Sequence, residues 1–179
     1  LRHLLTVITV VSIAACDPSG PGDARVTPVQ QVSPPVAVDL ALADAEIAAN
    51  LASLLAAARA EPQNADARGA LAMAYEVNGF ADAALQSYVE ARLLDPADSR
   101  WPHLQALLVA HSGELDKALA LMDTSLALEP GSRAAMLWRA NWLLDLDRVA
   151  DASRAFAEAA ANGAGLPATA GRVRVMLRE

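Results

Sequence analysis

An acidic residue followed by proline recurs every 34 residues in this chain. The pairs are Glu61–Pro62, Asp95–Pro96 and Glu129–Pro130, and each follows an apolar run. Proline cannot continue a helix, and it disfavours the helical conformation in the residue before it. A stop signal at a fixed spacing predicts a chain built from similar helical units that stack one after another.

Small side chains recur in the same 34-residue frame. If the units start at residues 65, 99 and 133, position 27 is alanine or serine, and larger residues stand at positions 11 and 24. This pattern resembles the tetratricopeptide repeat, in which a helix A and a helix B pack closely through small residues at positions 8 and 20. These two positions hold only alanine here: Ala72, Ala84, Ala106, Ala118, Ala140 and Ala152.

The resemblance implies an all-α solenoid of helical hairpins. We expect about three repeats over residues 63–165, with an N-terminal capping helix at 39–62 and a C-terminal capping helix at 166–179. Gly79 and Gly113 should end helix A in a left-handed conformation, and Asp147 takes their place in the third repeat. The C-terminal helix offers Val173, Met176 and Leu177 as apolar side chains.

The N-terminus predicts a secretory signal peptide. Arg2 precedes an uncharged, mostly apolar stretch from Leu4 to Ala15, which as a helix rises about 18 Å and is too short to span a bilayer core of about 30 Å. The residues before Cys16, the only cysteine, resemble the bacterial lipobox, which implies a lipoprotein signal peptide at 1–15 and a lipidated Cys16 that carries fatty acyl chains such as palmitate. An ordinary signal peptide with a cysteine there by chance is the alternative.

Residues 16–38 contain half of the ten prolines and have neither a helical nor a strand period. Such a composition predicts a flexible tether between the lipidated cysteine and the folded part.

In tetratricopeptide proteins, helix A residues at positions 2, 5, 9, 12 and 13 line a concave groove that holds partner peptides. The groove carried over to this chain is half apolar and suits an apolar peptide or helix. The lysine and asparagine that clamp a partner's C-terminal carboxylate are not found together in any repeat, which disfavours that class of partner. The apolar members could instead pack against the next repeat. The candidate groove residues are Met73, Val77, Arg100, His103, Leu107, His111, Leu137, Asn141 and Leu144.

The sequence predicts no catalytic, metal or cofactor site. His103 and His111 are eight residues apart, whereas metal-binding pairs on a helix are three or four apart. The net charge of −7 disfavours a nucleic-acid partner, whose phosphates would be repelled.

We therefore expect a lipoprotein that is anchored to a membrane, faces the periplasm or the cell exterior, and binds a protein or peptide partner. It would act as a scaffold or adaptor in the bacterial cell envelope, for example in pilus or outer-membrane assembly. A periplasmic module in cytochrome c maturation is the alternative, and an enzyme or small-molecule binder that uses His103 and His111 is a further one. If both histidines face the ligand, binding should change between about pH 5.5 and 7.5.

Overall fold

The computed structural model describes residues 32–178, so the predicted signal peptide and Cys16 lie outside the described residues. Within that range the chain is all-helical, as predicted, and contains no strand. Eight helices follow one another: α1 (Ala45–Ala60), α2 (Ala65–Val77), α3 (Ala81–Leu94), α4 (Arg100–His111), α5 (Leu115–Leu128), α6 (Arg133–Asp145), α7 (Val149–Ala161) and α8 (Gly165–Met176).

Consecutive helices pack as hairpins. The most extensive contacts join α2 with α3, α4 with α5, and α6 with α7. Successive hairpins then touch through α3 and α4 and through α5 and α6, while α1 covers α2 at one end and α8 covers α7 at the other. Because extensive contacts form only between helices close in sequence, the described chain is a stack rather than a globule.

Alanine at the hairpin crossings lets the helix backbones approach closely. All six alanines at positions 8 and 20 have no exposed surface. The space beside these crossings is filled by the larger residues at positions 11 and 24, which include Tyr75, Tyr88, Met122 and Phe156, all buried. Small and large residues therefore alternate across each interface, which allows close packing.

The A helices end as the turn residues predict. Gly79 and Gly113 have φ of 82° and 85°, and Asp147 takes the same left-handed conformation with φ of 57°. After Asp147, the N–H of Arg148 donates to the carbonyl of Leu143 at 2.9 Å, which is the bond of a Schellman motif. Aspartate thus replaces glycine here without a change in the turn.

The acidic residue before each proline ends the preceding helix. Glu61, Asp95 and Glu129 have ψ of 70°, 87° and 79°, outside the helical region. The N–H of each still donates to a carbonyl of the last helical turn. The recurring acidic–proline pair is therefore the boundary between hairpins.

The third hairpin has no proline at position 32 of the frame, where Ala164 stands, and its end differs. Helix α7 is followed by Gly163 with φ of 83°, and α8 begins at Gly165 rather than at residue 167, where the 34-residue frame would start. This earlier start of α8 determines which face of the helix is covered. Ala168, Gly171 and Val175 are buried, whereas the apolar residues that the sequence offered for this helix, Val173, Met176 and Leu177, are exposed.

The predicted tether, residues 16–38, includes a final segment that the structure places against the folded domain. The structure describes residues 33–38 as a segment without helix that lies against the α2–α3 hairpin, and we call it the strap. Arg68 Nη1 donates to the Ser33 carbonyl at 3.1 Å, Tyr75 Oη donates to the Val36 carbonyl at 2.7 Å, and Pro35 is buried. These contacts hold the end of the predicted tether to the folded domain.

Among the described residues, no helix combines the length and the apolar character that a membrane crossing requires.

Replacement of Ala118 by leucine should destabilise the fold by about 1–3 kcal/mol, because the added atoms overpack the crossing of α4 and α5. Ala120→Leu, at an exposed position of the same helix, is the control and should change stability by less than about 0.5 kcal/mol. Urea denaturation followed by circular dichroism measures both. Equal stability of the two variants would contradict the close crossing.

Candidate functional site

A cavity of about 370 Å³ opens where helices α2, α4 and α6 come together, and we call it the His103 cavity. Four of its lining residues, Met73, Arg100, His103 and Ala134, occupy positions 2, 5 or 9 of three successive A helices. The remaining walls come from the start of α4, the end of α5 and the turn before α6: Ser99, Trp101, Leu104, Ser125, Glu129 and Ser132. One site is thus assembled from three consecutive units.

Trp101 forms the wall between α2 and α4. Its indole is buried, and it lies over Gly69, where a Cβ atom would come within 2.1 Å of the ring. A side chain at residue 69 would therefore displace the indole. Gly69, at position 5 of its unit, is buried by this contact and does not line the cavity.

Arg100 is held at the rim by two carboxylates and a ring. Its Nε lies 2.8 Å from an oxygen of Asp98, its Nη2 lies 2.7 Å from Asp66 on α2, and its guanidinium carbon lies 4.6 Å from the centre of the Trp101 ring. The hydrogen bonds from Arg100 lower the pKa of Asp98. Because both carboxylates lie on this one cation, Arg100 adds little free positive charge to the cavity.

Glu129 provides a third carboxylate at the cavity. Ser99 Oγ donates to its Oε2 at 2.8 Å, and Ser125 Oγ donates to the Ser99 carbonyl at 3.0 Å. Together with Asp66 and Asp98, Glu129 outnumbers the single Arg100. The charged rim is therefore acidic.

The surroundings of His103 favour its neutral imidazole. Burial lowers its pKa below the ordinary value of 6.5, and the nearby Glu129 opposes that shift. A neutral imidazole can accept and donate one hydrogen bond each. At neutral pH the cavity thus combines an apolar thioether from Met73 with a polar, uncharged ring.

The sequence matches no known protein-family model, and no curated protein matches it. Solved structures do match. The first TPR domain of Spaghetti (RPAP3), bound to the HSP90 peptide SRMEEVD, aligns with 64% of this chain and 92% of its own at 17% identity and a TM-score of 0.60. The Arabidopsis OM64 TPR domain aligns with 64% of this chain and 96% of its own at 16% identity and a TM-score of 0.59. The Yersinia enterocolitica type III secretion chaperone SycD, in complex with a peptide of the translocator YopD, aligns with 63% of this chain and 92% of its own. The identity is 17% and the TM-score is 0.58.

The chain has the tetratricopeptide repeat fold. The three hairpins α2–α3, α4–α5 and α6–α7 are its repeats, and α1 and α8 flank them. This confirms the predicted solenoid of about three repeats with flanking helices.

The third repeat contributes less to the groove than the sequence predicted. Leu144 is only 2% exposed and belongs to the core, so the interpretation of this residue as groove-lining is corrected. Helix α6 contacts α5, α7 and α8, and this coverage leaves less of its surface open. Leu107 and Leu137 are partly buried against the same core.

Asn141 is also engaged within the protein. Its side-chain N–H donates to the Leu137 carbonyl at 2.7 Å, and its Oδ1 accepts a hydrogen bond from Arg174 of α8. Both ends of the amide are therefore used to join the third repeat to the helix that follows it.

The two candidate histidines do not share a site. His111 lines a separate opening of about 310 Å³ with Asp82, Leu85 and Glu114 from neighbouring helices. Val77, the remaining candidate, is 84% exposed at the end of α2. Within residues 32–178, no cluster of three or more His, Cys, Asp or Glu side chains is placed to hold a metal ion.

Trp138 is an exposed aromatic side chain on the third helix A. Trp101, Trp138 and Trp142 stand at positions 3, 6 and 10 of their A helices, positions that usually face helix B or the next repeat. Trp101 and Trp142 are buried accordingly, yet Trp138 is 44% exposed, with its ring centre 5.9 Å from that of Trp142.

The lowered pKa of His103 predicts that the fold loses stability as the pH falls. The unfolded chain takes up a proton near pH 6.5, whereas folded His103 takes it up only at lower pH, so the free energy of unfolding should decrease below pH 6.5. His103→Gln should remove this part of the pH dependence. Urea denaturation of both proteins between about pH 7.5 and 5.5 measures the difference. An identical pH dependence in the two proteins would show that His103 is not shielded from water.

Proposed function

We propose that this chain is a protein-binding module that holds a peptide segment of its partner along the groove of the A helices. The convergence of Met73, Arg100, His103 and Ala134 on one cavity carries this proposal. An apolar side chain of the partner would enter between Met73 and Trp101, since a pocket of this size takes one such anchor. Two proteins of the same fold support the idea, since one is bound to an HSP90 peptide and another to a YopD peptide.

The acidic rim favours a basic residue beside the apolar anchor. Glu129, Asp66 and Asp98 exceed the charge of Arg100, and the chain as a whole carries −7. A peptide such as SRMEEVD, with three acidic residues near its end, would meet like charges here. Complementary charge would act chiefly on partner choice and association rate.

The groove continues beyond the repeats onto α8. If the frame is moved to the observed helix start, Val173 and Leu177 occupy positions 9 and 13 of an A-type helix, and both are exposed. Val77 provides an exposed apolar side chain at the other end. A partner segment lying lengthwise could therefore contact apolar side chains from α2 to α8.

Met73→Asp should weaken binding of a groove peptide at least tenfold, because it places a charge where the partner's apolar side chain would be buried. Peptides selected from a displayed random library against the purified chain provide the probe, and fluorescence anisotropy gives their affinity. We expect the selected peptides to combine apolar and basic residues.

Leu93→Asp is the matched control, because Leu93 is 36% exposed and Met73 is 42% exposed, but Leu93 does not line the cavity. It should bind as the unmodified chain does. Selected peptides that bind Met73→Asp and Leu93→Asp equally well would remove the cavity from the proposed function.

We also propose that the module is tethered to a membrane of the bacterial cell envelope through a lipid on Cys16 and acts there as a scaffold or adaptor rather than an enzyme. The support is the sequence pattern before Cys16, together with the absence of any other cysteine that a disulfide would need. Two acyl chains or more would suffice for stable anchoring.

Cys16→Ser should abolish lipid attachment. Cells that express the chain are grown with labelled palmitate, and the label in the protein is measured together with its partition into detergent. We expect label and detergent partition for the unmodified chain and neither for the variant. Equal label in both proteins would exclude Cys16 as the modified residue.

A further inference from the structure

The first repeat contains a second cleft, distinct from the His103 cavity. The strap lies in it, and the two side chains that bind the strap backbone are both donors: Arg68 Nη1 to the Ser33 carbonyl and Tyr75 Oη to the Val36 carbonyl. None of the residues that line the His103 cavity takes part in these contacts.

The cleft and the strap are chemically matched. Pro34 and Pro35 have no backbone N–H, so this segment offers mainly carbonyl acceptors and favours an extended conformation. The cleft supplies the two donors that these carbonyls accept from, and Pro35 between them is buried. Val38 adds an apolar contact to the cluster that contains Leu71 and Tyr75.

Contacts within the hairpin hold the side chains of both donors, Arg68 and Tyr75, in place. Arg68 and Glu90 form a buried ion pair between α2 and α3, and Gln86 donates to the other oxygen of Glu90 at 3.0 Å. The Tyr75 ring packs edge-on against Phe80, with ring centres 6.0 Å apart. A rigid pair of donors lowers the entropic cost of binding an extended chain.

The strap does not fill the whole cleft. A space of about 550 Å³ continues beside Val36 and Val38 along the start of α3, toward Phe80 and Gln86. A longer or bulkier segment than the strap could therefore occupy the same surface.

We propose that the α2–α3 hairpin is a binding site for extended, proline-containing peptide segments, and that residues 33–38 occupy it in cis. A ligand from another chain competes with the strap, which is present at an effective concentration set by its short connection to α1. The site reads backbone carbonyls and a proline ring, whereas the His103 cavity receives a side chain.

The test uses a fluorescein-labelled peptide of residues 30–39 and the full chain with Pro35→Asp and Val36→Asp, which place charges on the strap and release it. Fluorescence anisotropy should show that the released chain binds the peptide at least tenfold more tightly than the unmodified chain does. If that variant loses its helical circular dichroism, Pro34→Gly with Pro35→Gly provides a milder release.

A tyrosine pair provides the matched control. In the released chain, Tyr75→Phe removes the donor to the peptide and should weaken binding about two- to tenfold. Tyr88→Phe removes a hydroxyl of the same hairpin that donates to Glu76 at 2.7 Å, and it should leave binding unchanged. Met73→Asp should also leave it unchanged, so a failure of this site and a failure of the proposed groove are distinguishable.

Three results would overturn the proposal. The released and folded chain could fail to bind the peptide, which would make the strap a packing contact only. The unmodified chain could bind as tightly as the released one, which would mean that the strap does not occupy the site. Tyr75→Phe and Tyr88→Phe could weaken binding equally, which would place the peptide elsewhere.

Discussion

The close crossing of two helices through alanine is the constraint on which this molecule depends. Ala72 and Ala84 have no exposed surface, and neither do their equivalents in the next two repeats. With the backbones this close, each hairpin can bury only part of its apolar surface by itself and must bury the rest on its neighbours. The stack, the groove along its A helices and the cavity at three of them all follow from that requirement.

Features that depend on local backbone chemistry could be predicted from the sequence, and features that depend on which neighbour covers a face could not. Glycine, aspartate and proline set the helix ends, and Asp147 behaves as its position in the repeat indicates. The covered face of α8 was not predictable from the frame, because Gly163 ends α7 without a proline and moves the next helix. Leu144 was misjudged for a similar reason, since it packs into the core where α6 contacts α5, α7 and α8.

The strap has no periodic signal, so its composition predicted a tether, yet hydrogen bonds to two of its carbonyls and the packing of Val38 hold it to the first repeat. This contact would set the distance between an anchor at Cys16 and the solenoid. Residues 17–32, if fully extended, reach roughly 50 Å, and release of the strap would lengthen the link by the residues up to Asp44, to roughly 90 Å. If Cys16 carries a lipid, occupation of the cleft by another chain would thus also change how far the groove can extend from the anchor.

Polar contacts between repeats fix little of this architecture. Arg100–Asp66 and Arg139–Asp123 join neighbouring hairpins, but most of these side chains are largely exposed, and exposed pairs of this kind contribute at most about 1 kcal/mol. The buried Arg68–Glu90 pair differs, because loss of either partner would leave an uncompensated charge in the interior. Salt should therefore affect the charges of the acidic rim far more than it affects the stack itself, which rests on contact between side chains that carry no charge.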